Sequence, residues 1–554
     1  MIAERCYWLF CFKPIESDKT ISIFGFSEFI SAIALLIIIY TITDVRYKFR
    51  IATAPGSLYI TTFSLIGVIG FSTLLTDIWV NEGWWVPVTA GLTLSIWQGM
   101  FGTLFLTIVI TWVYYAFIRP LIYSSRNAKK YAKELYRYIL RGNEDELRVI
   151  ANELAKSVKP LVQLSPDISS YPSDKKIPPS HALDILLLIG NRRFCRQIVS
   201  TSPGTAQGFF QEMTKSNKLN LPLNQFASNI TSEAIIQKDS FIYNEQEGYE
   251  SGLLGYIKPV SQALYGNYLL VEALSKSGSS PLDIHFEEQW SWTSTQWKAY
   301  CRVVLITLKD YLRRGYSSEH SYALYRAFGD IKHAYKDLYE LNDTPRNYGD
   351  DIFTKFQVAC DFVKDAIDLI ENQEYLPKTL RLRRRDKSSH KDIYDHMANL
   401  IFDMCETASH VNSPIDTCWA VQHNILWNSF FSRFDNDGKA IKIVTFKVRR
   451  LLYNEITLLS KYPNYKGSRL LGLCLNNIGM TVNKNTHDKD YYTLAKAIHK
   501  WTKKNYIILR KDNPDVAKSV LIGSLSFNKK RQCLVKTYLK GLNKKAPKSY
   551  LYLE

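Results

Sequence analysis

The chain has 554 residues, a length that excludes a single compact core and predicts more than one folded part. Its formal net charge is +18, yet residues 1–118 contain six basic and seven acidic side chains, so the positive excess lies in residues 119–554. Such a charge favours partners that carry phosphate, either anionic lipid head groups or nucleic acid. Solubility combined with the positive-inside bias of membrane proteins is the alternative explanation.

Three apolar runs follow a short N-terminal segment, residues 1–22. The first, residues 23–42, has the 20 residues that a helix needs to cross about 30 Å of hydrocarbon. The second covers residues 58–76, and the third, about 88–118, is longer than a span needs and should tilt or project. No compact basic region and no small-residue cleavage site flank the first run, which argues against a signal peptide. We therefore predict a three-helix membrane anchor over residues 23–118.

Basic residues predict the orientation of this anchor, because they favour the cytoplasmic side. Arg46, Lys48 and Arg50 lie between the first two runs, whereas Glu82 is the charged residue between the second and third. Arg119 begins a further basic stretch after the third run. These flanks predict a multi-pass protein of the cell membrane, in bacteria the inner membrane, with its N-terminus outside and its C-terminus in the cytoplasm.

Two carboxylates fall at or near membrane depth. Glu28 and Asp77 are functional candidates because an ionised group in hydrocarbon is costly. Both lie near helix ends, so we favour an interfacial location over a role in a pore or proton path. A homo-oligomer is also predicted, since small and polar side chains allow membrane helices to pack closely: Gly67, Gly70, Ser95, Gln98, Gly99 and Gly102.

The remaining sequence predicts helices separated by two breaks. Residues 119–159 have one apolar stripe at helical spacing and predict a helical stalk, and residues 160–182, with five prolines, predict a linker. A helical domain over 183–375, a basic linker over 376–392 and a second helical domain over 393–554, with a basic tail, follow. The predicted fold is thus all-α, with three N-terminal transmembrane helices followed by a large, mostly helical cytoplasmic body.

Within residues 183–375, helical spacing is clearest over 182–200, 297–313, 322–341 and 353–370. The third of these presents an aromatic face that we interpret as a core or helix-packing stripe. Its members are Tyr322, Tyr325, Phe328, Tyr335, Leu338 and Tyr339.

The large nucleotide-dependent and hydrolase classes lack support in this sequence. It contains no Gly-rich loop followed by Lys and Ser or Thr, no dinucleotide glycine fingerprint and no serine-hydrolase elbow. We therefore predict no cofactor and favour a non-enzymatic role.

Cysteine spacing argues for reduced thiols. Nine cysteines without paired spacing are typical of a cytoplasmic compartment, although Cys6 and Cys11 fall on the outer side, where a short bridge is conceivable. Four metal-ligand types cluster over nineteen residues, but each Cys-to-His step of five residues turns the pair about 140° apart on a helix. We interpret the cluster as core residues and predict no metal: Cys405, His410, Cys418 and His423.

An Arg and a His a turn or more apart on a helical scaffold can hold a phosphate and act as acid or base. Arg385 and His390 have this spacing, and their segment resembles the motif of HEPN-type ribonucleases over these few residues. Arg314 and His320 form a second pair of this kind. A membrane-tethered nuclease is therefore one alternative function.

Two basic segments are candidates for binding an anionic partner. Interleaved apolar residues in the second are compatible with an amphipathic basic helix that lies on anionic lipid or binds nucleic acid, and a solvated surface helix is the more frequent alternative. The first comprises Arg381, Arg383, Arg384 and Arg385, and the second comprises Lys529, Lys530, Arg531, Lys536, Lys540, Lys544 and Lys545.

A large soluble part without a catalytic motif, joined to a membrane anchor, is typical of a binding protein. We predict a membrane-anchored sensor or effector that recognises an unidentified cytoplasmic protein or signal, and by analogy of architecture alone it would serve phage defence or stress response. The other alternative is an oligomeric channel gated by the cytoplasmic body.

Overall fold

A computed structural model describes most of the chain, which divides into an N-terminal unit, Met1–Phe226, and a C-terminal unit, Ala227–Glu554. Its described part is mostly helical and includes three small sheets. The prediction of a mostly helical, all-α protein is confirmed, with a few short strands beside the helices. The described residues are 5–7, 10–14, 23–42, 44–54, 58–87, 93–119, 122–166, 180–245, 250–251, 255–256, 259–316, 319–345, 347, 349–373, 392–431, 438–482, 489–539 and 545–554.

The N-terminal unit begins with the apolar helices. They are α1 Phe26–Ile42, the short amphipathic α2 Val45–Ala52, α3 Leu58–Asn81 and α4 Leu94–Val113, which continues as a π-helical segment, Tyr114–Ile118. Thr93 caps α4 by accepting a hydrogen bond from the backbone N–H of Ile96, so this helix begins about six residues later than predicted.

Two helices are long and apolar enough to cross a membrane, over Ile60–Asn81 and Leu94–Ile118. Unlike the core helix of a soluble protein, each turns many apolar side chains outward, and Phe71 and Ile110 are more than half exposed. The first predicted span, residues 23–42, corresponds to α1, whose 17 residues are fewer than the roughly 20 that a span needs. Two of the three predicted spans are therefore supported.

An antiparallel sheet joins the N-terminal segment to the loop between α3 and α4. Strand β1, Arg5–Tyr7, pairs with β2, Phe10–Pro14, which pairs with β3, Trp85–Pro87. The register sets Cys6 opposite Cys11 and Lys13 opposite Val86. Strands of three to five residues are too short for a reliable period-two signal, which explains why the sequence pattern did not predict them.

The rest of the N-terminal unit is a group of packed helices. They are α5 Ala128–Arg141, α6 Glu144–Ala155, α7 Val158–Leu164, α8 His181–Leu188, α9 Arg192–Thr201 and α10 Pro203–Lys215. A capping box between Asn143 and Glu146 begins α6. Within this group α5 packs on α8, α6 on α9 and α7 on α10. The helical stalk that we predicted over residues 119–159 stays a prediction.

Helices also dominate the C-terminal unit. In chain order they are α11 Asn224–Ile236, α12 Phe241–Asn244, α13 Pro259–Tyr265, α14 Tyr268–Lys276, α15 Phe286–Gln289, α16 Ser294–Arg313, α17 Tyr322–Ile331, α18 Asp351–Glu371, α19 Ile393–Ala408, α20 Ile415–Trp419, α21 Asn428–Phe430, α22 Lys439–Leu458, α23 Tyr465–Ile478, α24 Lys489–Asp512 and α25 Pro514–Lys518. A 3-10 helix, Lys332–Leu341, continues α17, and a π-helical segment, Ala420–Trp427, continues α20.

The predicted aromatic stripe is partly buried and partly exposed. Phe328, Tyr335 and Leu338 are buried, whereas Tyr322 and Tyr339 are about half exposed, as is Tyr325. Both α17 and the 3-10 helix contain buried and exposed members of the stripe. The core-packing interpretation therefore holds for half of the stripe.

The basic tail forms a sheet, and the predicted amphipathic helix is wrong. Strands β6 Leu525–Asn528, β7 Cys533–Thr537 and β8 Lys548–Tyr552 form one antiparallel sheet, in sequence order. Earlier in the chain, β4 Glu250–Ser251 and β5 Gly255–Tyr256 form a separate two-stranded hairpin. Cys533, Leu534 and Val535 are all buried, as in a strand covered on both faces. These residues and the apolar residues after them are spaced as in a helix. A strand that is covered on both faces lacks the apolar–polar alternation of a half-exposed strand, so the sequence pattern contained no signal of a strand.

Candidate functional site

Glu28 and Asp77 both bind the start of α1. The backbone N–H of Gly25 donates to Glu28 Oε2 at 2.9 Å, and that of Phe26 donates to Asp77 Oδ2 at 2.8 Å. Nearby, the N–H of Ile23 donates to Gln98 Oε1 at 3.0 Å. The first N–H groups of a helix lack intrahelical acceptors, so these three side chains cap α1 from α1 itself, α3 and α4.

Substitutions at Asp77 separate capping from a proton role. We expect Asp77→Asn to leave stability nearly unchanged, because the amide oxygen still accepts, and Asp77→Ala to lower the unfolding free energy by about 1 kcal/mol. Thermal unfolding of the full chain in detergent measures both, with the exposed Glu82→Ala as control. A large loss in Asp77→Asn would show that the ionised carboxylate itself is required.

Three helices share one apolar core in the N-terminal unit. Phe29 of α1 lies 5.9 Å from Phe105 of α4, measured between ring centroids, and both belong to one buried cluster with Ile66 and Ile69 of α3. A Cβ at Gly70 would meet the ring of Phe29 at 2.2 Å, so glycine permits the close approach of α1 to α3. The short helix α1 is thus packed with the two long apolar helices.

A buried ion pair lies where the apolar helices meet the rest of the N-terminal unit. Arg50 of α2 donates from Nε to Glu153 Oε2 at 2.9 Å and from Nη2 to Oε1 at 2.8 Å. Lys156 Nζ lies 2.8 Å from the same carboxylate, and Arg46 Nε lies 3.5 Å from it. Arg50 is 6% and Glu153 4% exposed, so this bidentate pair is shielded from water.

The same guanidinium also binds the end of α4. Arg50 Nη1 donates to the carbonyl oxygen of Ala116 at 3.0 Å, within the π-helical segment. Beside it, the ring of Phe49 packs edge-on against Tyr131 and Tyr138 of α5. The short helix α2 therefore contacts α4, α5 and α6. We call the Arg50–Glu153 ion pair, together with the contacts of Arg50 to Ala116 and of Phe49 to Tyr131 and Tyr138, the junction.

The junction sets the ionisation of Glu153. Burial raises the pKa of this carboxyl, but hydrogen bonds from Arg50 and Lys156 and their positive charges outweigh burial, so the pKa lies below its ordinary value. Glu153 is therefore ionised at neutral pH. Arg46 and Arg50, two of the basic residues from which we predicted the membrane orientation, lie beside this buried carboxylate.

The candidate residues of the basic tail are divided between surface and core. Lys529, Lys530 and Arg531 are exposed in the turn between β6 and β7, and Lys545 is exposed before β8. Lys536 is 2% exposed, so it lies inside the fold and not on an exposed basic face, and its binding of an anionic partner stays a prediction. The other candidates lie outside the described residues: Arg381, Arg383, Arg384, Arg385, Lys540 and Lys544.

The buried ammonium of Lys536 has an unusual set of partners. Its Nζ donates to the carbonyl oxygen of Asn476 and lies 4.9 Å from the ring centroid of Trp419 and 4.7 Å from that of Tyr538. Burial lowers the pKa of Lys536 to about 8. Within the described ranges, no carboxylate lies within ion-pairing distance of this ammonium, so the aromatic faces and one carbonyl stabilise its charge.

A buried amide network supports this lysine from below. Asn476 Nδ2 donates to Gln422 Oε1 at 3.0 Å, and Ser524 Oγ donates to Asn476 Oδ1 at 2.9 Å. Gln422, in the π-helical segment, donates in turn to the carbonyl oxygens of Ala408 and Val411, each at 3.1 Å. Because each amide has a partner, the network holds the Asn476 carbonyl in a fixed position.

A cavity of about 250 Å³ opens above Lys536. Asn476, Ser524 and Lys536 form its polar floor. Its remaining walls are largely apolar: Ile415, Trp419, Thr537, Tyr538 and Leu539. The neighbouring Gly523 has φ +56°, and a Cβ there would come within 2.6 Å of Cys418 Sγ, so glycine is required where the chain passes this thiol.

The four predicted core residues of the cysteine–histidine cluster have separate partners. Cys405 and Cys418 are buried thiols, and burial raises the pKa of Cys418 to about 12. His410 lies 3.0 Å from Arg469 Nη1, and His423 stacks on Trp419 with ring centroids 3.9 Å apart. In the part of the chain that the structure describes, no group of three His, Cys, Asp or Glu side chains is suited to a metal ion.

The second nuclease pair does not face a common site. Arg314 Nε donates to Asp310 Oδ2 at 2.6 Å, whereas the ring of His320 packs beside Tyr322 and Tyr325. His390, of the first pair, lies outside the described residues together with Arg385.

Sequence reasoning did not single out Glu153, Trp419, Asn476 or Ser524. Glu153 is 103 residues from Arg50, and Asn476 is 60 residues from Lys536, so no local spacing relates these partners. A lysine inside an apolar run, as in Leu534-Val535-Lys536, was the one available signal of a buried cation. Comparisons with protein families, curated proteins and solved structures find no match to this chain.

Proposed function

We propose that this protein is a membrane-anchored cytoplasmic binding protein, a sensor or effector, with its N-terminus outside the cell and its C-terminus in the cytoplasm. One observation carries the proposal: α3 and α4 expose apolar side chains along their length, and the buried junction fixes α4 to water-facing helices. Helices of this kind are stable in lipid and costly in water.

Three spans are the arrangement that best fits α1. Its 17 residues extend about 25 Å, near the lower limit for crossing hydrocarbon, and it shares a core with α3 and α4. Exposed Trp79 and Trp84 lie at one end of α3, and Tyr114 lies at the far end of α4. Rings that combine apolar and polar edges favour the two membrane surfaces, so these residues support the proposed boundaries.

Anionic lipid head groups are the partner that we propose for the basic surface after α4. Arg126 precedes α5, and Lys129, Lys130 and Lys133 of this helix are exposed. A basic cluster within a few residues of a membrane helix is attracted to the negatively charged inner leaflet. The same charge distribution supports the cytoplasmic placement of α5. A cytoplasmic protein partner, nucleic acid and self-association stay predictions.

Cysteine labelling in intact cells tests the proposed topology. In a variant with Cys6 and Cys11 changed to Ser, we expect a membrane-impermeant maleimide to label Glu82→Cys before lysis and Lys129→Cys only after lysis. Both positions are exposed, and the seven other cysteines are buried. The reverse labelling pattern would contradict the orientation. Release of the full-length chain by alkaline carbonate would contradict membrane insertion.

A further inference from the structure

We propose that the cavity above Lys536 binds a small carboxylate with an apolar or aromatic body, its carboxylate facing the lysine ammonium. This inference goes beyond the proposed function and does not depend on the topology of the membrane helices. Its basis is the combination of a buried cation, an apolar rim and an open cavity of about 250 Å³.

The first argument is the charge of Lys536. An ammonium has three N–H donors, and the Asn476 carbonyl accepts one of them. The rings of Trp419 and Tyr538 are weak partners compared with an anion, and the described residues supply no carboxylate to this side chain. A carboxylate that entered the cavity would form the missing charge-assisted hydrogen bond in surroundings of low polarity.

The second argument is the shape and character of the rim. Ile415, Tyr538 and Leu539 line the cavity, yet each remains more than one-third exposed. Apolar walls with a few converging polar groups are typical of small-molecule sites. A cavity of about 150 Å³ holds a benzene molecule, so this larger one has room for a ring and a carboxylate.

The third argument selects carboxylate over phosphate. Phosphate sites combine several donors, commonly arginine side chains or successive backbone N–H groups at a helix N-terminus. Here the described floor offers one cation, Lys536, and Ser524 already donates its hydroxyl hydrogen to Asn476. One positive charge matches a monoanion better than a phosphate dianion.

Calorimetric titration of the full chain in detergent micelles tests this proposal. The probes are phenylacetate, its neutral analogue phenylacetamide, and inorganic phosphate. We expect phenylacetate to bind about thirtyfold more tightly than phenylacetamide, because a hydrogen bond to a charged group accounts for that difference. Phosphate should bind more weakly than phenylacetate.

Two variants attribute the selectivity to Lys536. Lys536→Met keeps the aliphatic stem and should remove the preference for the acid over the amide, whereas Lys530→Met, an exposed lysine of the same sheet, should keep it. Trp419→Leu should weaken both aromatic probes together. Equal binding of acid and amide to the native chain, no binding of either at 10 mM, or unchanged selectivity in Lys536→Met would each overturn the proposal.

Discussion

Glu153→Gln is expected to lower the free energy of unfolding of the N-terminal unit by about 3–5 kcal/mol, because it leaves Arg50 buried beside a neutral partner. Arg50 makes two hydrogen bonds to this carboxylate, and both side chains are shielded from solvent. Urea unfolding of the full chain in mild detergent, followed by protease resistance of α5 and α6, measures the loss. Glu144→Gln, an exposed change in the same helix, should stay within about 0.5 kcal/mol of the native chain.

A double substitution distinguishes lost charge pairing from general damage. Arg50→Met combined with Glu153→Leu replaces the pair with apolar side chains and should recover most of the stability that Glu153→Gln loses. A loss in Glu153→Gln below about 1 kcal/mol would mean that water reaches Arg50 and that the pair is not buried in solution.

The pH dependence of this loss has a defined sign. Because the folded pKa of Glu153 lies below its ordinary value, the carboxylate contributes stability above that value, and the contribution disappears as pH falls through the folded pKa. The difference in unfolding free energy between the native chain and Glu153→Gln should therefore have its largest value at pH 7 and be smaller at pH 3. Growth of the difference on acidification would contradict the assigned direction.

Local patterns predicted the long elements well. Apolar windows of about 20 residues indicated α3 and α4, and helical spacing indicated α16 and α18 to within three residues at either end. Such patterns report on residues one or two turns apart. Contacts across longer separations, including the pairing of Arg50 with Glu153, depend on packing that a single sequence does not display.

The tail shows how a local pattern can mislead. Basic residues alternate there with apolar ones, and we predicted a helix with a charged face. Pairing of β7 between β6 and β8 instead buries four consecutive residues, Cys533 to Lys536, on a strand without an exposed face. Lys536 thereby changed from a surface charge in the prediction to the centre of the cavity in the structure.

Lys536→Met is expected to stabilise the C-terminal unit by about 2 kcal/mol at pH 7. A pKa that falls from 10.5 to about 8 on folding corresponds to roughly 3 kcal/mol of destabilisation, at 1.36 kcal/mol per pKa unit, and loss of the ring contacts offsets part of it. Lys530→Met, at the exposed turn of the same sheet, should change stability by less than about 0.5 kcal/mol.

The pH profile of this stabilisation identifies its cause. The unfolded chain binds the proton more tightly than the folded chain, so the penalty is complete below pH 8 and disappears as pH rises towards 10.5. The unfolding free energies of the native chain and of Lys536→Met should therefore approach each other as the pH rises from 7 to 10.5. Destabilisation by Lys536→Met, or a gain independent of pH, would show that the ammonium is already well paired. A gain that converges would mean that this protein retains a charge at the expense of stability, which is the trade-off expected when the charge serves a ligand.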